Sequence, residues 1–218
     1  MKRHPERQQL MDDVAQAAAY AESDFAIPHN RFIDLFAAVH PEFEGGKVLD
    51  VGCGNADPTI RFAKRFPKTE IIGIDGSSPM IHLGYKAIEE AGLWDRMNIW
   101  VSMVNEMDFP NAHFDALISN SLLHHLEKPE ELWNAARFVK PGGAIFVMDL
   151  TRPATEEDAL ELVREHEDDP ELMKQDFYAS LLAAYRPEEV RSQLDIAGLN
   201  DLHVEVVSNR HMAIHGKR

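Results

Sequence analysis

Two aspartates flank a glycine-containing turn near residue 50, and they restrict the ligand that this turn can hold. An apolar strand, 47–51, runs into Asp50, the turn Gly52-Cys53-Gly54 follows, and a helix is predicted to start at Asp57. This order forms the first βα turn of a doubly wound α/β domain, where such folds hold a nucleotide-like ligand. In a dinucleotide site the helix N-terminus receives a pyrophosphate, which the carboxylates of Asp50 and Asp57 would repel. The pattern therefore favours a cationic ligand that carries an amino group.

A third acidic residue, Asp75, ends the second predicted strand, 70–75. It follows the glycine turn at about the 20-residue spacing expected for the carboxylate that binds ribose hydroxyls in this fold class. Gly76 comes next, and Ser77 or the following serine is predicted to cap a helix. Met80 in that helix either packs in the core or contacts the edge of an adenine ring.

The segment Val48-Leu49-Asp50-x-Gly52-x-Gly54-x-Ala56 resembles the glycine-rich motif of class I S-adenosylmethionine (SAM)-dependent methyltransferases. That motif usually reads Val-Leu-Asp-x-Gly-x-Gly-x-Gly, so Ala56 replaces its last glycine. The resemblance implies SAM as cofactor, S-adenosyl-L-homocysteine as product, and methyl transfer by in-line displacement. It also implies that Asn105 or Glu106 binds the adenine amino group and that segment 119–126 flanks the methionine part of SAM. The residues implied to bind the cofactor are Asp50, Gly52, Cys53, Gly54, Ala56, Asp75, Gly76, Met80, Asn105, Glu106 and Asn120.

The acceptor side offers scattered polar and aromatic groups. His125 follows the fourth predicted strand and, like its neighbour His124, contacts a ligand or has a structural role. Arg152 either binds an anionic acceptor by bidentate hydrogen bonds or pairs at the surface with the acidic run 156–158. The candidate acceptor-side residues are His125, Arg152, Tyr178, Arg210 and His211. Because the histidines are scattered along the chain and the sequence has no Cys-x-x-Cys spacing, the sequence predicts no metal site.

The elements that must position these residues alternate between strands and helices. The predicted strands are 47–51, 70–75, 98–104, 114–119, 144–149, 202–207 and 211–214, and the predicted helices of the alternating region are 58–66, 79–91, 129–139 and 187–197. This alternation predicts a parallel sheet with helices on both faces, closed by an antiparallel C-terminal hairpin. The expected fold class is α/β, a doubly wound, mostly parallel, seven-stranded sheet of the Rossmann-like methyltransferase type.

Two segments lie outside this alternation and are expected to cover the active site of one domain that spans residues 1–218. Within the first, 1–40, two helices are predicted from about residue 5, with a break at 27–30 and Asn30 as the second N-cap. The other is a charged helical stretch, 151–184, interrupted near Pro170. It leaves the carboxyl end of the fifth strand, where ligands bind in this fold, and is either a lid over the acceptor pocket or a solvated helical decoration.

The composition and net charge limit the kinds of molecule that the protein is expected to bind. The 218 residues have a formal net charge of −15 and one cysteine, which excludes an internal disulfide framework. Such a negative field opposes binding to nucleic acid and to anionic membranes. A small-molecule or protein substrate is therefore favoured over tRNA or DNA, and a small-molecule acceptor is expected. The sequence has no long apolar run and no signal-peptide pattern at its start, which predicts a cytoplasmic enzyme; a homodimer is left open.

Three other functions fit parts of the pattern. A SAM-binding domain without catalysis, acting in regulation or assembly, would share the cofactor motif. An NAD-dependent oxidoreductase would share the βα turn, but Asp50 and Asp57 count against it. Transfer of a different group from SAM or its decarboxylated form also remains compatible with these residues.

Overall fold

A seven-stranded sheet forms the centre of the part of the chain that the structure, a computed structural model, describes, namely residues 1–6, 10–23 and 25–218. The strands are β1 (Gly45–Val51), β2 (Lys68–Asp75), β3 (Met97–Val101), β4 (Phe114–Asn120), β5 (Val139–Leu150), β6 (His203–Val206) and β7 (His211–Lys217). Their spatial order is β3-β2-β1-β4-β5-β7-β6. The first five strands pair in parallel, and β7 is antiparallel to both β5 and β6. The predicted fold class is therefore confirmed.

The strand order reverses beside β1. The chain proceeds from β1 outward through β2 to β3, and then crosses to β4 on the other side of β1. In open α/β sheets, ligands bind beyond the carboxyl ends of the strands at such a switch point. The register pairs Asp50 with Ile118, so the residues two positions further on, Gly52 and Asn120, lie at the same level of this crevice.

Helices cover both faces of the sheet. They are α1 (Val14–Glu22), α2 (Ala26–Val39), α3 (Asp57–Arg65), α4 (Ser78–Ala91), α5 (Glu130–Asn134), α6 (Glu156–Arg164), α7 (Glu171–Ala183) and α8 (Pro187–Ala197). On one face, the buried aromatic rings of Phe36 and Phe62 meet edge to face, with centroids 4.7 Å apart, and Phe36 also contacts Phe146 of β5. On the other face, Trp133 and Leu194 belong to a second apolar cluster. Both clusters bury apolar surface against the strands, which explains why the strands are apolar runs rather than alternating sequences.

The N-terminal helices differ from the prediction. Residues 7–9 of the predicted first helix lie outside the described residues, and α1 begins only at Val14, where the Asp13 side chain caps the helix by accepting a hydrogen bond from the backbone N–H of Gln16. The second helix begins at Ala26 rather than after Asn30. Proline is tolerated in the first turn of a helix because its missing N–H would have no intrahelical partner, so Pro28 does not break α2. Asn30 is consequently not an N-cap.

The predicted ends of two further elements were wrong. The helix predicted at 129–139 is the short α5 followed by a 3-10 turn, Ala135–Phe138. The strand predicted at 98–104 ends at Val101, and a 3-10 helix, Val104–Glu106, follows it. Element ends are the positions where tertiary contacts most readily override local sequence preference.

The charged stretch after β5 forms α6 and α7, as the break near Pro170 predicted. Thr155 and Asp158 form a reciprocal capping box at the start of α6. Leu162 and Leu181, one from each helix, belong to a small apolar cluster with Leu150 at the end of β5. Among the described residues, no helix combines the length and the hydropathy that a membrane crossing requires.

Candidate active site

The glycine turn adopts a backbone that most residues avoid. Gly52, Gly54 and Ala56 have φ values of 78°, 53° and 64°. The N–H groups of Gly52 and of the next residue both donate to the carbonyl oxygen of Ile74, at 2.8 and 2.9 Å, which fastens the turn to the end of β2. A Cβ atom at Gly52 would lie 2.9 Å from the Leu122 side chain. Ala56 takes the left-handed conformation despite its Cβ, at a cost of about 1 kcal/mol.

Asp75 lies beside this turn at the end of β2. Its Oδ2 accepts a hydrogen bond from the backbone N–H of Gly54 at 2.9 Å, and its Oδ1 accepts one from the backbone N–H of Ser77 at 2.8 Å. Burial raises the pKa of Asp75, whereas these two N–H groups and His125 act to lower it. The carboxylate is thus held in one orientation and retains lone pairs that can accept bonds from two neighbouring hydroxyl groups.

Asp50 precedes the turn at the end of β1 and is buried. It is 3% exposed, and its Oδ2 accepts a hydrogen bond from the Thr59 hydroxyl at 2.6 Å. Burial raises the pKa of Asp50 to about 7, although the bond from Thr59 acts in the opposite direction. Asp50 therefore ties β1 to α3, and its negative charge near the turn depends on pH.

Asp57, at the start of α3, keeps its charge. Burial acts to raise its pKa, but hydrogen bonds from His29 at 2.6 Å and from Arg61 at 2.8 Å lower the pKa to about 2. The carboxylate thus remains ionised at the helix N-terminus that would receive a pyrophosphate in a dinucleotide site, consistent with the ligand preference inferred from the sequence.

Asn120 lies at the carboxyl end of β4, at the level of Gly52 across the switch point. It is 9% exposed, and within the described part of the chain its Oδ1 has no hydrogen-bond partner. A buried acceptor without a donor is costly. A ligand with an N–H or O–H group in the crevice would satisfy it, so Asn120 and the fixed Asp75 carboxylate together fit a cofactor that carries amino and hydroxyl groups.

The residues predicted to contact the adenine ring differ in their exposure. Asn105 and Glu106 are exposed in the 3-10 helix after β3, and Asn105 Nδ2 lies 3.5 Å from the Glu131 carboxylate. Met80 is buried, and its Cε lies 3.1 Å from the position of a Cβ at Gly54. Met80 therefore packs against the glycine turn, and its contact with an adenine ring stays a prediction.

The N-terminal segment passes over the end of β2. A Cβ at Gly76 would lie 2.7 Å from Leu10, so the glycine allows this close approach. The Ser77 hydroxyl donates to the carbonyl oxygen of Met11 at 2.6 Å. Burial and the nearby carboxylates of Asp57 and Asp75 raise the pKa of Tyr20, in α1, to about 12. Two surface depressions of about 260 and 380 Å³ lie near the amino ends of the strands, and none of these residues lines them.

A histidine pair follows β4 and is held by two carboxylates. The Nδ1 of His124 lies 2.6 Å from an oxygen of Asp149, and the Nδ1 of His125 lies 2.5 Å from Glu6. The two imidazole rings are in contact, with centroids 4.0 Å apart. Burial acts to lower the pKa of His124, but Asp149 outweighs it and the pKa is raised. Glu6 also accepts a hydrogen bond from the Ser180 hydroxyl of α7 at 2.6 Å.

Arg152 has other partners than those considered from the sequence. It is 6% exposed, and its guanidinium donates to the Glu189 carboxylate at 2.6 Å and to the Ala184 carbonyl oxygen at 2.9 Å. It is therefore not paired with the acidic run 156–158, and it would have to leave Glu189 to bind an acceptor. The physical reason is that α8 folds back beside the end of β5 and brings Glu189 to the guanidinium.

The remaining acceptor-side candidates lie around the end of β5 and the final hairpin. Arg210 forms a 3.6 Å ion pair with Glu165. His211 is 8% exposed and its Nδ1 lies 3.0 Å from the Ser208 hydroxyl; burial, assisted by Arg210, lowers its pKa to about 4. Tyr178 in α7 is half-buried against the small cluster at the end of β5.

Sequence reasoning did not single out Glu6, Tyr20 or Asp149. Asp149 ends a buried strand, a position typical of site carboxylates, and this signal was available. Glu6 and Tyr20 are remote in sequence from every motif, and only the path of the N-terminal segment brings them to the crevice.

Comparisons with known proteins agree with this geometry. Residues 48–143 match a family model described as a methyltransferase domain. The chain is 31% identical to the 27-O-demethylrifamycin SV methyltransferase of Amycolatopsis mediterranei, over 62% of this chain and 51% of that protein. It is 25% identical to a ubiquinone/menaquinone biosynthesis C-methyltransferase of Geotalea daltonii, over 67% of this chain and 63% of the relative. The chain thus spans about half to two thirds of the length of these relatives.

Solved structures share the fold. A SAM-dependent methyltransferase from Aquifex aeolicus superposes with a TM-score of 0.66 at 18% identity, covering 93% of this chain and 97% of that one. Phosphoethanolamine N-methyltransferase 2 of Haemonchus contortus, solved with SAM, gives a TM-score of 0.68 at 18% identity, over 89% of this chain and 44% of that one. The sheet order and the crevice define a Rossmann-like methyltransferase fold. Residues 48–143 thus match the methyltransferase-domain family, and the chain has the fold of solved SAM-dependent methyltransferases.

Proposed function

We propose that this protein transfers a methyl group from SAM to a small-molecule acceptor. The observation that carries the proposal is Asp75, a carboxylate fixed by two backbone N–H groups at the carboxyl end of β2, beside the glycine turn. In this fold class that position binds the ribose hydroxyls of the ligand. Asn120, with its unpartnered buried oxygen, provides a second polar contact on the other side of the switch point.

In this reaction the main task of the chain is to position the cofactor and the acceptor. Bound SAM would supply a methyl group already activated by the sulfonium charge. The glycine turn and Asp75 would hold the cofactor, while residues on the N-terminal segment and α7 would orient the acceptor and exclude water. The contact between His4 and Leu182 and the bond between Gln16 and Asp176 support this arrangement, because they join the two covering segments to each other.

The nature of the acceptor follows from charge and from the relatives. The net charge of −15 disfavours polyanions. The relatives named above include a 27-O-demethylrifamycin SV methyltransferase and a ubiquinone/menaquinone biosynthesis C-methyltransferase. The cap formed by 1–40 and 151–184, the cytoplasmic location, the absence of nucleic-acid binding and the homodimer stay predictions of the sequence.

Titration calorimetry with SAM, S-adenosyl-L-homocysteine and NAD tests the proposal. The unaltered protein should bind the first two and not NAD, and Asp75→Asn should weaken SAM binding at least tenfold, because hydrogen bonds to a charged group contribute roughly 1.5–3 kcal/mol each. Asp115→Asn is the matched control, since this carboxylate also accepts a backbone N–H, that of Lys47, but lies elsewhere on the sheet. An unchanged SAM affinity in Asp75→Asn would contradict the proposed site.

Turnover separates an enzyme from a binding domain. With a panel of hydroxylated and aminated metabolites, a methyltransferase should release S-adenosyl-L-homocysteine in an acceptor-dependent manner. SAM binding without release on any acceptor would favour the regulatory alternative, and methylation of bulk tRNA alone at physiological salt would contradict the small-molecule acceptor.

A further inference from the structure

Three potential metal ligands meet beside the cofactor crevice although they come from distant parts of the chain. Glu6, His124 and His125 each place one nitrogen or oxygen atom within 4.8 Å of the others. The histidines are adjacent in a 3-10 turn after β4, whereas Glu6 belongs to the N-terminal segment. Spacing in the sequence therefore could not reveal this cluster, and the prediction that the protein has no metal site considered only local spacing.

The surroundings of the cluster orient its members. The Nδ1 of His124 is bonded to Asp149 at 2.6 Å, which leaves Nε2 of the same ring as the available ligand atom. The Asp149 carboxylate is itself fixed by the backbone N–H groups of Leu123 at 2.6 Å and of Leu150 at 2.7 Å. Histidines that bind metals almost always place their other ring nitrogen against a carboxylate, a carbonyl or water. His124 has this arrangement already.

Glu6 is oriented in the same way. One of its oxygens accepts a hydrogen bond from Ser180 at 2.6 Å, and the other lies 2.5 Å from Nδ1 of His125. Arg3 lies close by, but its guanidinium is used by the carbonyl oxygens of Ala183 and His124. The carboxylates of Glu6 and Asp149 face the two rings, and a metal ion that binds the ring nitrogens would displace any proton that they carry.

From this geometry we propose that Glu6, His124 and His125 bind one divalent transition-metal ion, of the kind represented by Zn²⁺ or Co²⁺. Two imidazole nitrogens and one carboxylate oxygen form a donor set that suits such ions. Three protein ligands leave at least one coordination position for water or another oxygen ligand. Around a tetrahedral zinc ion with bonds near 2.0 Å, neighbouring ligand atoms are about 3.3 Å apart, so the contact between Glu6 and His125 must open by less than 1 Å.

The test uses the full chain, stripped with a chelator and dialysed, in the absence of SAM. Titration with Co²⁺, followed by visible absorption, and with Zn²⁺, followed by calorimetry, should show one saturable site per chain. Glu6→Gln and His125→Ala should each weaken binding at least tenfold. Asp149→Asn, which alters the partner of His124 but none of the three ligands, should weaken metal binding by about 10- to 100-fold.

His166→Ala is the matched control. His166 also pairs with a carboxylate, that of Asp169 at 3.2 Å, but among the described residues it belongs to no group of three potential metal ligands. It should bind both ions like the unaltered protein, and circular dichroism should show that every variant is folded. The absence of a saturable site, or equal affinity in the unaltered protein and in folded Glu6→Gln and His125→Ala, would overturn the proposal and leave the cluster as two His–carboxylate pairs. Because metal binding is measured without SAM, a failure here would not bear on the proposed methyltransferase function.

Discussion

The buried carboxyl group of Asp50 should make the stability of this protein fall as the pH rises. Asp50 is 3% exposed and accepts a hydrogen bond from Thr59. Burial is the main cause that raises its pKa, and the nearby carboxylate of Asp75 raises the pKa further. Its pKa is raised from the ordinary value of 3.8 to about 7. A group with a raised pKa in the folded state contributes stability that is fully present below its unfolded pKa and is lost as the pH rises to its folded pKa.

The size of the effect follows from the shift. At 1.36 kcal/mol per pKa unit, ionising Asp50 lowers the free energy of unfolding by about 4 kcal/mol in total. Integrating the proton linkage, about 2 kcal/mol of this is lost between pH 5.5 and pH 8.5. Asp50→Asn has no carboxyl group to ionise, while its amide oxygen can still accept from Thr59. The stability of the unaltered protein should therefore fall by about 2 kcal/mol more than that of Asp50→Asn across this range.

Urea denaturation at several pH values between 5.5 and 8.5, without cofactor, measures the difference. Comparing the pH dependence of the two proteins removes any constant effect of the amide N–H₂ group on packing. Thr59→Ala is the control: it keeps the carboxyl group and removes a bond that lowers the pKa, so its pH dependence should be at least as steep as that of the unaltered protein. Parallel curves for the unaltered protein and Asp50→Asn would refute this reasoning, since they would show that Asp50 titrates alike in the folded and unfolded states.

Two further predictions concern residues outside the cofactor turn. Arg152→Ala should destabilise the protein by roughly 3 kcal/mol, measured by thermal unfolding. This value is at the lower end for a broken buried pair, because the Glu189 side chain is 38% exposed and can rehydrate. Unchanged stability together with a raised acceptor KM would instead indicate that Arg152 binds the acceptor. Hydrogen exchange in α1 and α7 should slow when SAM binds, whereas α8 serves as the unaffected reference. Protection confined to the glycine turn and Asp75 would show that these helices do not cover the site.

Local sequence determined the elements that build the cofactor crevice. The apolar strands before Asp50 and Asp75 and the Gly52-x-Gly54 turn are short-range signals, since a buried strand and a positive φ each restrict the residue types that fit. The family resemblance came from the same few positions. The alternation of strands and helices, together with the right-handed crossover rule for parallel strands, then leaves few alternatives for the sheet.

The acceptor side depended on contacts that no local pattern encodes. Arg152 has the residue type of an anion ligand, but the return of α8 beside β5 supplies Glu189, 37 residues away, and buries the pair. Asp149 and His124 are 25 residues apart and become partners only because β4 and β5 are neighbours in the sheet.

The N-terminal segment shows the same limit most clearly. Nothing near Glu6 in the sequence indicates a site, and its partner His125 lies 119 residues away. The sequence by itself determined the strands, the glycine turn and the carboxylate at the end of β2, because these depend on neighbours along the chain. Only the tertiary structure decided which charged groups meet around the histidine pair, because their energies depend on burial and on partners that packing brings together.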